Sequence, residues 1–288
     1  MTAALTLLGH RFQNPVLLAS GTAGYGRELA GIVDLAALGG IVTKAVSLAP
    51  RAGNPAPRVA EFAGGMLNSV GLANPGLAAV RDVELPWLLG RWPDLAVLVN
   101  VVGFTVDEYP AVVAGLSGLD GITAFELNLS CPNTAAGGVE FGTDAAQVAE
   151  VVTRCRRETS RPIVVKLSPV LPDIPAIAHA ACQAGASGVS LVNTMPGALT
   201  EEGGAPRLGQ GRGGVSGPPL LPIGVLATRL VAERLPGIPI IGVGGIRSAD
   251  DARQYLRAGA ALVAIGTAGL ADPRLPERVA RELGAGRG

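Results

Sequence analysis

Apolar residues in this chain come in short uninterrupted runs rather than in alternation. Eight runs stand out, at residues 16–19, 41–46, 96–102, 124–129, 163–167, 189–192, 238–243 and 262–265, each bounded by Gly, Pro or polar residues. A strand that is apolar throughout is buried on both faces, which is the state of a parallel sheet covered by helices. Stretches 143–159, 174–184 and 248–258, which lie between runs, read as helix. In the first, Ala145, Val148, Ala149, Val152 and Cys155 follow the i, i+3, i+4 spacing of a buried stripe. In the last, Ser248 predicts an N-cap, with Asp251 near the positive end of the helix dipole. Strict β-then-α order over a chain of 288 residues fits one α/β domain, residues 1–288, closed as a (β/α)8 TIM barrel; such barrels take about 250 residues. Leu5, Leu7, Leu8 and Phe12, ahead of Pro15, predict a short N-terminal hairpin at the barrel bottom. An open doubly wound sheet is the rival, but Ser20-Gly21-Thr22-Ala23-Gly24 after the first run is not the G-x-G-x-x-G fingerprint of that fold.

Composition narrows the function classes. With 23 acidic and 23 basic side chains the formal charge is zero, so neither nucleic acid nor an anionic membrane is an expected partner. No run approaches the length of a membrane span, and residues 1–12 lack the basic start and long apolar segment of a signal peptide, so a cytoplasmic chain is expected. Three cysteines, Cys131, Cys155 and Cys182, form no C-x-x-C pair, which argues against disulfides, zinc or an iron-sulfur cluster held by this chain alone.

In such a barrel, residues at the strand C-termini share one mouth. The exits are Ser20-Gly21-Thr22, Lys44, Asn100, Asn128 with Ser130 and Cys131, Lys166 with Ser168, Asn193-Thr194, Gly244-Gly245 and Gly266-Thr267. No carboxylate and no histidine is among them, so no metal site and no paired-carboxylate glycosidase is expected. Lys44 and Lys166 are the only lysines, each at the end of an apolar run in a chain that otherwise uses arginine. A compact ammonium is not replaceable there by a planar guanidinium. Glycines at the last two exits suit close approach of a phosphate to backbone N–H groups, although a glycine also simply ends a strand in a tight turn. Two amines, several amides and a phosphate site fit flavin mononucleotide (FMN), with Lys166 near the pyrimidine edge and Asn100 and Asn128 on polar ring atoms. A Schiff-base aldolase, with one desolvated reactive lysine, and a non-catalytic phosphate-binding barrel are the alternatives.

Cys131 follows the fourth run and precedes Pro132 and a small-residue stretch suited to a lid. A thiolate there would act as general base on a carbon acid, against the plainer reading of an inert buried thiol. Cys155 and Cys182 lie on apolar helix stripes and read as core, and His10 and His179 lie away from the mouth. Residues 64–76, GGMLNSVGLANPG, read as a glycine-rich loop in which Asn68, the backbone of 69–72 and Asn74 offer hydrogen bonds to a small planar ligand.

Taken together, ASGTAGYG, TKAVSLAPRAGNPAPRV, LNSVGLANPG, ELNLSCPN, VKLSP, VNT, GVGGI and AIGTA, in that order from residue 5 to about residue 273, resemble the dihydroorotate dehydrogenase family. The resemblance implies an FMN barrel that oxidises dihydroorotate to orotate in pyrimidine and UMP biosynthesis. It implies Cys131 as the base at C5 while the C6 hydride passes to flavin N5. Lys44, Asn68, Ser69, Val70, Gly71, Leu72, Asn128, Asn193 and Thr194 match substrate positions. Ser20, Lys44, Ala45, Asn100, Asn128, Lys166, Val192, Gly217, Gly244, Gly245, Gly266 and Thr267 match flavin positions. A Cys base and the lack of an N-terminal hydrophobic extension resemble the soluble class. GTAGYGREL and PRAGNPAPRVAE are most similar to its NAD-linked branch, which implies a homodimer of this chain within a heterotetramer whose partner subunit carries FAD and a 2Fe-2S cluster. The fumarate-using homodimeric branch is the alternative. The match loosens over 195–214 and at the C-terminal tail.

Overall fold

Eight parallel strands pair in chain order and the last pairs back to the first. They are β1 (Val16–Leu18), β2 (Gly40–Val42), β3 (Ala96–Val101), β4 (Ile122–Asn128), β5 (Ile163–Leu167), β6 (Gly188–Leu191), β7 (Ile240–Val243) and β8 (Leu262–Ile265). The structure, a computed structural model, describes residues 5–129, 132–133 and 139–285, with the backbone alone at 132, 133 and 139–141. Between the strands run α1 (Glu108–Ser117), α2 (Ala145–Glu158), α3 (Ile174–Gln183), α4 (Leu220–Arg234) and α5 (Ala249–Arg257), and α6 (Leu275–Ala285) follows β8. This is the expected (β/α)8 barrel.

The side-chain period of two explains why uninterrupted apolar runs were needed. Outward residues such as Val16, Leu18, Val97, Val99 and Phe125 pack under the helices in one large core. The intervening residues, among them Leu17, Val42, Leu98, Ala124, Val164 and Ile241, form a second cluster inside the ring. Its lower end is closed by the expected hairpin, Leu5–Leu7 paired antiparallel with His10–Phe12, which inserts the fully buried Phe12 into that inner cluster.

Helix ends follow local chemistry. The Asp144 carboxylate accepts from Ala146 N at 2.7 Å, Asp173 accepts from Ala176 N at 2.9 Å, and Ser248 Oγ accepts from Asp251 N at 3.1 Å, as its position predicts. Each cap stabilises its helix by about 1 kcal/mol.

Two expectations are corrected. The run at 41–46 is strand only to Val42, because Lys44 N turns away to donate to Gly24 O at 2.8 Å before Val46 N rejoins β3 at Asn100 O, 2.9 Å. The stretch at 64–76 is not all loop. Gly65–Asn68 pairs with Val59–Phe62 and with Gly213–Ser216, which in turn pairs with Met195–Gly197 in a four-stranded antiparallel sheet. Its pairing partner lies about 150 residues away, as in Ser216 with Met66, beyond the reach of any local pattern.

Tyr255 of α5 fixes how the outer layer meets β7. Its buried hydroxyl shares its single proton between Val243 O, 2.9 Å away, and Gly244 O, 2.8 Å away. Two glycines make room for the ring: a Cβ at Gly224 would lie 1.9 Å from the Tyr255 hydroxyl and one at Gly242 would lie 2.3 Å from its Cδ1. Gly224 stands inside α4, where alanine would otherwise gain about 1 kcal/mol in helix propensity. Overpacking costs roughly 1–3 kcal/mol, so Gly224→Ala is expected to lower the melting temperature, and to do so much less in a Tyr255→Leu background. A thermal melt in which Gly224→Ala alone is neutral or stabilising would refute this packing account.

Candidate active site

The mouth opens where the inner face of the barrel turns from apolar to polar. On β3 the inward series runs Ala96, Leu98, Asn100; on β4 it runs Ala124, Glu126, Asn128; on β5 it runs Val164, Lys166, Ser168. Register puts Asn100 beside Glu126, and Lys166 beside both Asn128 and Ser190. Asn100, Glu126, Lys166 and Ser190 are all buried. Asn100 Nδ2 donates to Glu126 Oε1 at 2.7 Å, while Asn100 Oδ1 and Ser190 Oγ have no hydrogen-bond partner. Buried polar atoms nearly always have partners; Thr228 Oγ1, in α4, is a third without one, so it is the position of the other two at the mouth that marks where a group from outside the chain would complete the layer.

Glu126 departs from the expectation of a mouth without carboxylates. It lies one inward step beneath Asn128, hidden in an apolar run. Its visible signal was a lone charged residue in a strand otherwise buried on both faces. Among the described residues no group of three or more His, Cys, Asp or Glu side chains is placed to hold a metal.

Above this layer, amides from two strands meet. Asn193, just past β6, donates from Nδ2 to Asn128 Oδ1 at 3.2 Å, and its own Oδ1 accepts from Thr194 N at 2.8 Å. Thr194 packs against the backbone of Gly214, where a Cβ would lie 2.0 Å from its Oγ1. Gly214 O in turn accepts from Asn68 Nδ2 at 3.1 Å. The structure therefore brings Asn68, Thr194, Asn193 and Asn128 into one rim, with the antiparallel sheet standing over it. The loop beyond Asn68 is held from beneath by Asn54: its Nδ2 donates to Ser69 Oγ at 2.7 Å and its N to Val70 O at 3.2 Å. Gly71 and Leu72 both have positive φ, 70° and 59°, a conformation unusual for a leucine and found at sites where surroundings over-determine the backbone. Leu72 packs with Ala45 and Val102 in a small apolar patch. Asn74 was expected to serve a ligand. Instead its buried amide donates to Ser47 Oγ and Leu72 O, both at 2.8 Å, and accepts from Gly76 N at 2.9 Å, which ties the loop to the segment after β2.

The opposite side is built of glycine backbone. Gly244 and Gly245, after β7, have positive φ and lie against the start of α4, where a Cβ on Gly245 would come 2.6 Å from Leu221 N. Gly217 O accepts from Leu220 N at 3.0 Å, so it also belongs to that helix entry. Gly266, after β8, faces Ala19 and Thr22, next to half-exposed Ser20, and Thr267 opens the short helix Thr267–Ala271. Val192 is buried and donates from N to Val243 O at 2.9 Å; the peptide that precedes it is cis. Lys44 is half-buried past β2.

Cys131, with Ser130, lies outside the described residues, as do 134–138. The two described thiols are poor candidates for chemistry. Burial, with Glu158 nearby, pushes Cys155 up to about 12, and burial raises Cys182, which is half-buried rather than core. His179 is exposed, and His10 sits in the hairpin against the edge of Phe12. Among the described residues, no helix is long and apolar enough to cross a membrane.

A family model for dihydroorotate dehydrogenase matches residues 2–286. The chain is 47% identical over 282 residues to a Desulforudis audaxviator protein named dihydroorotate dehydrogenase B (NAD(+)), catalytic subunit, covering 97% of this chain and 91% of that one. A Geobacillus kaustophilus protein of the same name is 44% identical over 283 residues, 98% of this chain and 90% of that one. A Solibacter usitatus protein, provisionally named dihydroorotate dehydrogenase A (fumarate), is 48% identical over 284 residues, 98% and 92% of the two chains. The chain belongs to the dihydroorotate dehydrogenase family, flavoenzymes that oxidise dihydroorotate in pyrimidine biosynthesis.

Proposed function

We propose that this chain binds one FMN across the barrel mouth, oxidises dihydroorotate to orotate with Cys131 as the base, and passes the electrons to NAD through a partner subunit carrying FAD and a 2Fe-2S cluster. The observation that carries the reading is the pairing of the amide rim, Asn68, Asn128, Asn193 and Thr194, with the glycine exits of β7 and β8 across a layer that holds the unpartnered Asn100 Oδ1. The residues fit the cofactor. A phosphate needs close main-chain approach, which Gly217, Gly244, Gly245, Gly266 and Thr267 allow, and a polar planar edge needs buried acceptors and a cation, which Asn100 and Lys166 supply. Ser20, Ala45, Asn128 and Val192 complete the floor and walls.

Bound FMN supplies the hydride acceptor for C6 of the substrate. The chain's own residues do the rest. The Cys131 thiolate would take the proton from C5, and Lys44, half-buried at the mouth, would supply a positive charge to substrate and cofactor. Asn68, Asn128, Asn193 and Thr194 orient the amide and carboxylate edges of the substrate, and the backbone of Ser69, Val70, Gly71 and Leu72 holds its carboxylate side. A ligand lacking one of these edges would leave a buried amide unpaired, which is the physical basis of selectivity in such a site. The NAD-linked assignment rests on relatives named as catalytic subunits of the NAD type. The fumarate-type name of the Solibacter usitatus relative favours a homodimer without the partner as the second reading.

Purified protein is expected to be yellow and to bleach when dihydroorotate is added without oxygen; a colourless protein that takes up no FMN would overturn the reading. Cys131→Ala should retain FMN but slow its reduction by roughly 100-fold or more, the range for loss of a general base. Because the thiolate is the active form, the wild-type reduction rate should rise with pH through the thiol pKa, near about 8.5 for an unperturbed cysteine. Stopped-flow traces that are normal in Cys131→Ala, or flat with pH, exclude the thiol. Loss of a charged hydrogen bond is worth roughly 1.5–3 kcal/mol, so Lys166→Ala should lose at least about tenfold in FMN affinity; unchanged flavin content would remove Lys166 from the cofactor site. Copurification from the native cell should bring down an iron-sulfur flavoprotein, whereas rapid reoxidation of the isolated chain by fumarate decides for the second reading.

A further inference from the structure

Glu126 is the one buried carboxylate among the described residues, and the proposed chemistry gives it no part. Its position is informative. It is 1% exposed, on the inner face of β4 between Ala124 in the apolar plug and Asn128 in the rim. A carboxylate there costs several kcal/mol in desolvation unless it is paired and hydrogen-bonded. No ion pair within 4.0 Å joins it to Lys166, and its partner is the Asn100 amide, at 2.7 Å from Nδ2 to Oε1. That length is an ordinary one for an amide N–H donating to an oxygen.

The Asn100 amide turns its NH2 to this carboxyl oxygen, which accepts. Oδ1 is thereby committed to the other side, and it is buried there without a partner. Asn100 stands one inward step above Leu98 of the plug and one below Val102 of the apolar patch that contains Ala45 and Leu72. A group that completes Asn100 must therefore bring a donor, not an acceptor, to the floor of the mouth. On the pyrimidine edge of a flavin the only donor is N3–H, flanked by two carbonyl oxygens.

We propose that Glu126 is a positioning residue for the cofactor: by fixing the Asn100 amide in one orientation it leaves Oδ1 as the acceptor for flavin N3–H. The inference rests on the flavin reading above and goes beyond it, since it assigns a residue that does not touch the ligand. Without the carboxylate the amide can rotate and present NH2 to N3–H, donor against donor, so an orientation that binds becomes one of two.

The test uses the full chain stripped of FMN and titrated with FMN by quenching of flavin fluorescence. Glu126→Gln, which preserves size, should weaken binding by about tenfold, the scale of one hydrogen bond set wrongly against a buried donor. Asn100→Ala should weaken it at least as much, and the double variant should be no worse than Asn100→Ala alone, because Glu126 acts only through that amide. In wild type carrying 15N-labelled FMN, the N3 proton should resonate downfield of free FMN, and Glu126→Gln should move it back towards the free position. Unchanged affinity in Glu126→Gln, additive losses in the double variant, or a wild-type N3 proton resonating as in free FMN would each overturn the proposal; the last holds even if the variant fails to fold. Wild type that does not bind FMN at all defeats the functional reading along with this one, whereas wild type that binds while Glu126→Gln matches it defeats this one alone.

Discussion

Everything at the mouth depends on a change of character that takes place within one step along the inner face of the barrel. Side chains two apart on a strand share a face, so Leu98, Ala124 and Val164 in the plug place Asn100, Glu126 and Lys166 directly above them. The apolar plug, closed from below by Phe12, excludes water from the underside of that polar layer. Polar groups backed by low-dielectric packing are held in fixed directions and interact more strongly than they would in water. A site of this kind is preorganised by the same close packing that stabilises the fold.

Much of this was legible in the sequence because it is local. Apolar runs mark the barrel strands, Ser248 marks a cap, and the scarcity of lysine singles out Lys44 and Lys166. What escaped was non-local or masked by its neighbours. The antiparallel sheet over the mouth joins 59–68 to 195–216, and short glycine-rich strands carry no alternation by which to see them. Glu126 was absorbed into an apolar run, although one charge in a doubly buried strand is itself the signal. Asn74 was misassigned because an asparagine in a loop reads equally as a ligand contact or as a staple, and only its three partners decide.

The rim also shows how two structural units make one surface. Asn128 and Asn193 belong to the barrel, Asn68 and Gly214 to the sheet above it, and Thr194 joins them, since Gly214 has no side chain to hold it off. The 195–214 segment, where the resemblance to the family loosens, begins next to Thr194 and returns to the rim at Gly214. Variation along the excursion can therefore be wide while its two ends stay fixed by the site.

The slot occupied by Tyr255 carries a consequence for how such a chain can diverge. Its ring is admitted by the bare backbones of Gly224 and Gly242, on α4 and β7, and its hydroxyl is anchored on the carbonyls at 243 and 244. Three positions far apart in sequence thus share one fixed volume. A lineage that shrinks the aromatic residue opens space for side chains at both glycines, and one that enlarges either glycine while keeping the ring loses stability. Positions 224, 242 and 255 should consequently be inherited as a correlated triplet.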